Sequence, residues 1–146
     1  MKRKIIFFGV MSILSIILFY GWNTLKDRQE KVISIEKIKD VQLTLTNNKL
    51  TLNSNLEALI KLDNFKQFDH SYIIQNKETI YIALSETISM TSKENTKVKE
   101  SFASTMNYSD DFEIKKVYIV SGSEILLGGA DPEKYDQKKL VWSVKE

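Results

Sequence analysis

His70 is the single histidine in a chain of 146 residues, and imidazole is the side chain whose ordinary pKa suits proton transfer near neutrality. A catalytic base works with a nucleophile in reach and a group that orients it. The surrounding sequence, Phe68-Asp69-His70-Ser71-Tyr72, contains no nucleophile motif. With Phe68, Tyr72 and Ile74 at its own parity, His70 reads as a structural histidine bonded to backbone. Zinc needs several nitrogen or sulfur ligands at set spacing, and the chain has no cysteine and no second histidine. Carboxylates are more plentiful, as Asp110, Asp111 and Glu113 and again as Asp131, Glu133 and Asp136. Oxygen-rich loops of this kind attract calcium, but both lack the ligand order, central glycine and terminal glutamate of a calcium loop. Lys115, Lys116 and Lys134 are interspersed among them, so these segments read as solvated turns. A glycosidase acid pair is spaced in space rather than in sequence, and neither segment singles one out. Gly122, Gly128 and Gly129 match neither G-x-G-x-x-G nor the lysine-bearing phosphate loop, and no G-x-S-x-G elbow exists. They read as hairpin turns. No catalytic, cofactor-binding or metal-ligating residue is therefore assigned, and no cofactor is implied.

The most informative segment is Ile5 to Trp22, IIFFGVMSILSIILFYGW, 18 residues without charge or proline. At helical rise it covers about 27 Å, close to the hydrocarbon thickness of a bilayer. Ser12 and Ser15 can bond carbonyls one turn back, and Tyr20 and Trp22 fall where amphipathic rings prefer to sit. The segment reads as a transmembrane helix whose partner is the lipid bilayer. A cleaved signal peptide is the rival, but the flanks lack small residues before a cut: Phe19 precedes one candidate site and Trp22 the other. Lys2, Arg3 and Lys4 abut the span directly, against a looser set at Lys26, Arg28 and Lys31. The compact cluster predicts a cytoplasmic N-terminus and an exported C-terminal part. Gly9, Ser12 and Ser15 fall near one helical face as a weak small-residue seam, although lipid-facing positions explain them as well.

Beyond Trp22 the chain carries 18 basic and 19 acidic residues. A balanced domain lacks the basic face that nucleic-acid binding needs, so no nucleic-acid partner is expected. The division is 1–31, a basic start, membrane helix and juxtamembrane tether, and 32–146, one extracytoplasmic domain large enough for its own core. The composition, with 19 Lys against 2 Arg, is similar to that of small exported proteins of low-GC Gram-positive bacteria; this is a likeness of style and implies no activity.

Within 32–146 the pattern predicts an α+β domain: a β-rich, mainly antiparallel sheet of about six strands with two short helices. Val41 to Thr46 and Lys49 to Asn53 alternate around Asn47-Asn48, a two-residue hairpin in which Leu45 opposes Leu50 and Leu43 opposes Leu52. Gln42, Thr44, Thr51 and Asn53 then form a solvent face. Ser54-Asn-Leu-Glu57 fits a capping box opening a helix to about Leu62. Residues 64–71 read as a loop anchored by Phe65 and Phe68. Glu78 to Met90 alternates with Ile80, Ile82 and Leu84 inward. Thr91-Ser-Lys-Glu94 opens a second helix with Val98, Phe102 and Met106 at every fourth position. Phe112 to Val120 predicts a central strand with a bulge near Lys115-Lys116, and Leu140, Trp142 and Val144 a closing strand. Together these predict a noncatalytic, single-pass, membrane-anchored extracytoplasmic domain that binds a membrane or cell-envelope protein. The alternatives are a structural subunit of a membrane assembly and an anchored hydrolase.

Overall fold

The computed structural model describes residues 2–48, 51–91, 94–105, 114–127, 131 and 135–144. The chain forms two compact units, Met1–Glu30 and Lys31–Glu146. The first is the helix α1, Lys2–Arg28. Its described side chains, residues 10–25, show no apolar stripe. Ile13, Ile16, Ile17, Leu18 and Phe19 are all exposed, at successive angles around the axis. Its polar members bond to their own helix: Ser15 Oγ donates to the Met11 carbonyl and Thr24 Oγ1 to the Tyr20 carbonyl, each at 2.9 Å. Among the described residues, no helix is long and apolar enough to cross a membrane.

The second unit contains eight described strands in two sheets. A five-stranded sheet holds β1 (Lys31–Val32), β4 (Lys66–Asn76), β5 (Thr79–Ile88), β7 (Lys116–Ser121) and β8 (Gln137–Ser143). A three-stranded sheet holds β2 (Ile38–Asn48), β3 (Thr51–Lys61) and β6 (Asn95–Thr105). β5 is the hub of the larger sheet: β4 lines one edge, and β7 and β1 share the other. Every pairing is antiparallel except β5 with β7. Alternation puts Ile80, Ile82 and Leu84 of β5 into one core with Leu56, Ala58 and Ile60 of β3 and Val98 of β6. On the other face of β5, Ala83 packs with Val120, Ile125 and Tyr135 in a second cluster. Ile125 belongs to a 3-10 turn, Ser123–Leu127, that lies over this outer face.

The β-rich, mainly antiparallel reading of the domain is correct, as are the strands over 78–90 and near the C-terminus. The two short helices are not. The stretch predicted as helical from Ser54 is β3, in which Ser54, Leu56, Ala58 and Ile60 are buried at period two, with Leu62 buried just beyond its end. The helix predicted from Thr91 is replaced by β6, with Val98 buried while Lys97 and Lys99 are exposed; Met106 lies outside the described residues.

Two members of the predicted solvent face of the hairpin are exposed, the side chains of Thr51 and Asn53 lie outside the described residues, and the register differs from the prediction. Asn48 pairs with Thr51, Leu43 with Leu56 and Ile38 with Ile60. Pairing runs through Asn47 and Asn48 because β3 continues to Lys61, and the long register seats Leu56 and Ile60, both fully buried, opposite core residues of β2. Gln42 and Thr44 are exposed as expected. Residues 66–71 belong to β4 rather than to a loop. The irregularity of β7 falls between Val117 and Tyr118, where β8 carries the extra residue. Phe112 lies outside the described residues.

Candidate functional site

His70 sits in a bulge of β4. Phe68 pairs with Glu86 and Ser71 with Leu84, so Asp69 and His70 together oppose Ser85. The bulge breaks the parity expected from sequence: Phe68 packs into the inter-sheet core, while Tyr72 and Ile74 pack on the outer face. The Ser85 hydroxyl, fully buried, stands in for the interrupted ladder. It accepts from the His70 N–H at 3.3 Å and donates to the His70 carbonyl at 3.1 Å. The imidazole lies against Tyr72 at 4.5 Å, and its Nδ1 is 3.2 Å from Asp69 Oδ2. The bonds to Ser85 are made by the His70 backbone, while the imidazole is about half exposed beside Asp69 and Tyr72.

Of the carboxylates, Asp131 and Asp136 are exposed; Asp110, Asp111, Glu113 and Glu133 lie outside the described residues. Gly122 is buried where the chain passes close to itself: a Cβ there would meet the Asp136 nitrogen and the Tyr135 Cα at 3.5 Å. At that separation a Cβ makes ordinary van der Waals contact, so the position would accept a small side chain; Gly122 joins β7 to the 3-10 turn and is not a hairpin loop. Gly128 and Gly129 lie outside the described residues.

The outer face of the larger sheet carries an apolar row, Ile74, Tyr81, Tyr118 and Leu140, one residue from each of four adjacent strands. Tyr81 and Tyr118 stack at 5.8 Å, and Tyr135 meets Tyr81 edge-on at 5.4 Å. Burial pushes the phenols of Tyr81 and Tyr135 above their ordinary pKa. Tyr81 also borders a hollow of about 570 Å³, lined by Asn76, Lys77, Glu78 and Thr79. The rings spend their faces on one another, so the row serves packing first.

The end of the domain at which β5 finishes is different in kind. Two loops meet there, 62–65 between β3 and β4 and the segment after Ile88, joined by a hydrogen bond from the Ser89 N–H to the Phe65 carbonyl at 2.8 Å. The first is a tight turn closed by Lys66 N–H donating to the Asp63 carbonyl at 3.2 Å. Phe65 occupies its third position with φ of 61°, left-handed backbone that favours glycine or asparagine. A bulky residue there costs on the order of 1–3 kcal/mol. Packing does not compensate, because Phe65 is 67% exposed. The second loop is fixed by Ser89, whose hydroxyl donates to the Thr91 carbonyl at 2.7 Å and accepts from the Thr91 N–H at 3.2 Å. Met90, at the apex of this turn, is 77% exposed. Phe65 and Met90 are the two most exposed large apolar side chains described in the domain.

Beside these loops Lys37 Nζ donates to Asp63 Oδ2 at 2.6 Å. That bond holds the Lys37 ammonium above its ordinary pKa, with Glu86 adding to the effect, and holds Asp63 below its own. Glu86 is buried on the core face of β5, and its Oε2 has no hydrogen-bond partner among the described residues. The sequence reading anchors Phe65 to the core and puts Met90, with Ile88, on the inward parity of the 78–90 strand; both Phe65 and Met90 are instead exposed, Met90 because β5 ends at Ile88. The turn signal Asp63-Asn64 is visible in the sequence, but which side of the turn an aromatic faces is a tertiary property. No family model, curated protein or solved structure matches this chain.

Proposed function

We propose that this protein is a noncatalytic, membrane-anchored binding module. On this reading Ile5 to Trp22 spans the bilayer, the N-terminus is cytoplasmic and residues 32–146 form an extracytoplasmic domain that engages a membrane or envelope protein. The observation that carries it is the character of α1. A helix whose described apolar side chains from Val10 to Phe19 are exposed at successive angles would be driven out of water. In the sequence the uncharged run from Ile5 to Trp22, longer than the part of α1 whose side chains are described, matches the hydrocarbon thickness. Both serine and threonine hydroxyls with bonds to α1 carbonyls are already satisfied without water, as a lipid environment requires. Tethering would then give the domain a high effective concentration towards partners in the same membrane.

The test is protease digestion of intact spheroplasts producing the chain with a tag after Glu146. Loss of the tag without lysis, with an uncut N-terminal fragment in the membrane fraction, is the expected outcome. Protection until lysis reverses the orientation and defeats the extracytoplasmic reading. Tagged protein in the medium defeats the anchor.

A further inference from the structure

The exposed pair Phe65 and Met90 lies at the end of the domain that holds its first residue, Lys31. Lys31, the first residue of the domain, pairs with Glu86, while Lys66 pairs with Ile88 and Lys61 with Asn95. The start of β1 and both loops therefore share one end of the sandwich. The turn of β4 into β5, at Lys77 and Glu78, is at the other. Eight residues, 23–30, separate Trp22 from Lys31, a reach of about 30 Å even when fully extended.

We propose that Phe65 and Met90 form a lipid-contacting tip that seats this end of the domain on the membrane carrying its own anchor; the proposal rests on the anchor reading above. Four observations converge on it. An aromatic residue is held in left-handed backbone and is largely exposed, an arrangement that packing within the domain does not reward. A second large apolar side chain, Met90, is exposed on the adjoining loop, next to Ser89, whose hydroxyl fixes the loop backbone. The two loops are joined by a backbone hydrogen bond, so the tip is preorganised. The tip shares its end of the domain with Lys31, the residue that follows the tether in sequence. Lys31 and Lys61 are exposed at the same end, but so are Glu36 and Glu94, so apolar insertion rather than net charge defines the contact. Interfacial insertion of this kind reaches about 5–10 Å into the headgroup and acyl boundary, a depth that two side chains on tight turns can reach. A protein partner would need a polar rim and a broader patch.

The chain has no cysteine, which allows a clean test. The full-length protein is made as Met90→Cys, and separately as Lys77→Cys, labelled with an environment-sensitive fluorophore. Each is reconstituted into phosphatidylcholine and phosphatidylglycerol vesicles, with and without headgroup-region spin-labelled lipid. The expected result is a blue-shifted, lipid-quenched probe at position 90, an unquenched probe at 77, and loss of quenching at 90 when Phe65→Gly is added. That substitution suits the backbone, so the variant folds. A probe at 90 as unquenched as that at 77, in protein retained through a carbonate wash, overturns the lipid contact and leaves the anchor standing. A probe that is shielded but insensitive to spin-labelled lipid assigns the tip to a protein contact and also overturns it. Release of the protein by carbonate defeats the anchor reading and this proposal together.

Discussion

Phe65 occupies a backbone position that glycine fills without strain. Phe65→Gly is expected to raise stability by about 1 kcal/mol, the relief of left-handed strain less the extra chain entropy of glycine. Thermal unfolding in detergent micelles checks this: a lower Tm than the parent would mean that the ring packs usefully after all. Residue-scale legibility was uneven for a physical reason. Phe65 and Phe68 look alike in the sequence, three apart in an otherwise polar run. Phe68 packs into the inter-sheet core and Phe65 does not. Hydrophobicity predicts burial only for a residue whose backbone turns it inward, and the φ of a non-glycine residue in a four-residue turn cannot be read from its type.

At the scale of elements, the misread helices share one cause. Val98 and Phe102 are four apart, and four is both one helical turn and two strand steps. The lysines at 97 and 99, flanking Val98, are the period-two signal that decides for β6. In β3, Leu59 completes a helical triplet with Leu56 and Ile60, while Leu56, Ala58 and Ile60 give the alternation that the fold uses. β5 was legible because Ile80, Ile82 and Leu84 recur at period two, although the same face continues with Glu86. The β4 bulge was not, since its support is the hydroxyl of Ser85 on the neighbouring strand. Ser85→Ala removes a buried hydroxyl that bonds both backbone groups of His70, at an expected cost of about 1–3 kcal/mol. Denaturant unfolding together with amide exchange checks it: His70 should exchange faster, and an unchanged rate would show that the ladder closes without the hydroxyl.

The molecule as a whole should show a stability plateau with two different limits. Asp63 and Glu57 are held below their ordinary values, 3.8 and 4.5, by hydrogen bonds from Lys37 and Lys99. A depressed carboxylate pKa adds stability above the unfolded value, and this is lost as pH falls through the folded one. Tyr81 and Tyr135 are pushed above 10.0 by burial. A raised pKa adds stability below the unfolded value that disappears as pH climbs through the folded one. Denaturant midpoints are therefore expected to be flat between about pH 5 and pH 9 and to fall on both sides. Tyr81→Phe should flatten the alkaline limb and leave the acid limb alone; a variant with an unaltered alkaline limb would assign that limb to other groups. Much of this architecture was accessible from alternation alone, but the parallel pairing of β5 with β7 was not, because no local pattern announces which distant strand becomes a neighbour.

That pairing also sets a timetable. β1, at the start of the domain, finds its partner only in residues 85 and 86, and β7 has no neighbour on its far side until 137–143 are available. A chain emerging N-terminus first can zip β2 to β3 and β4 to β5 early, because those partners are adjacent in sequence. The larger sheet closes only when its last strand arrives. Contacts between distant segments slow folding, so the domain would stay open and pliable for nearly the whole of its synthesis, then commit in one late step.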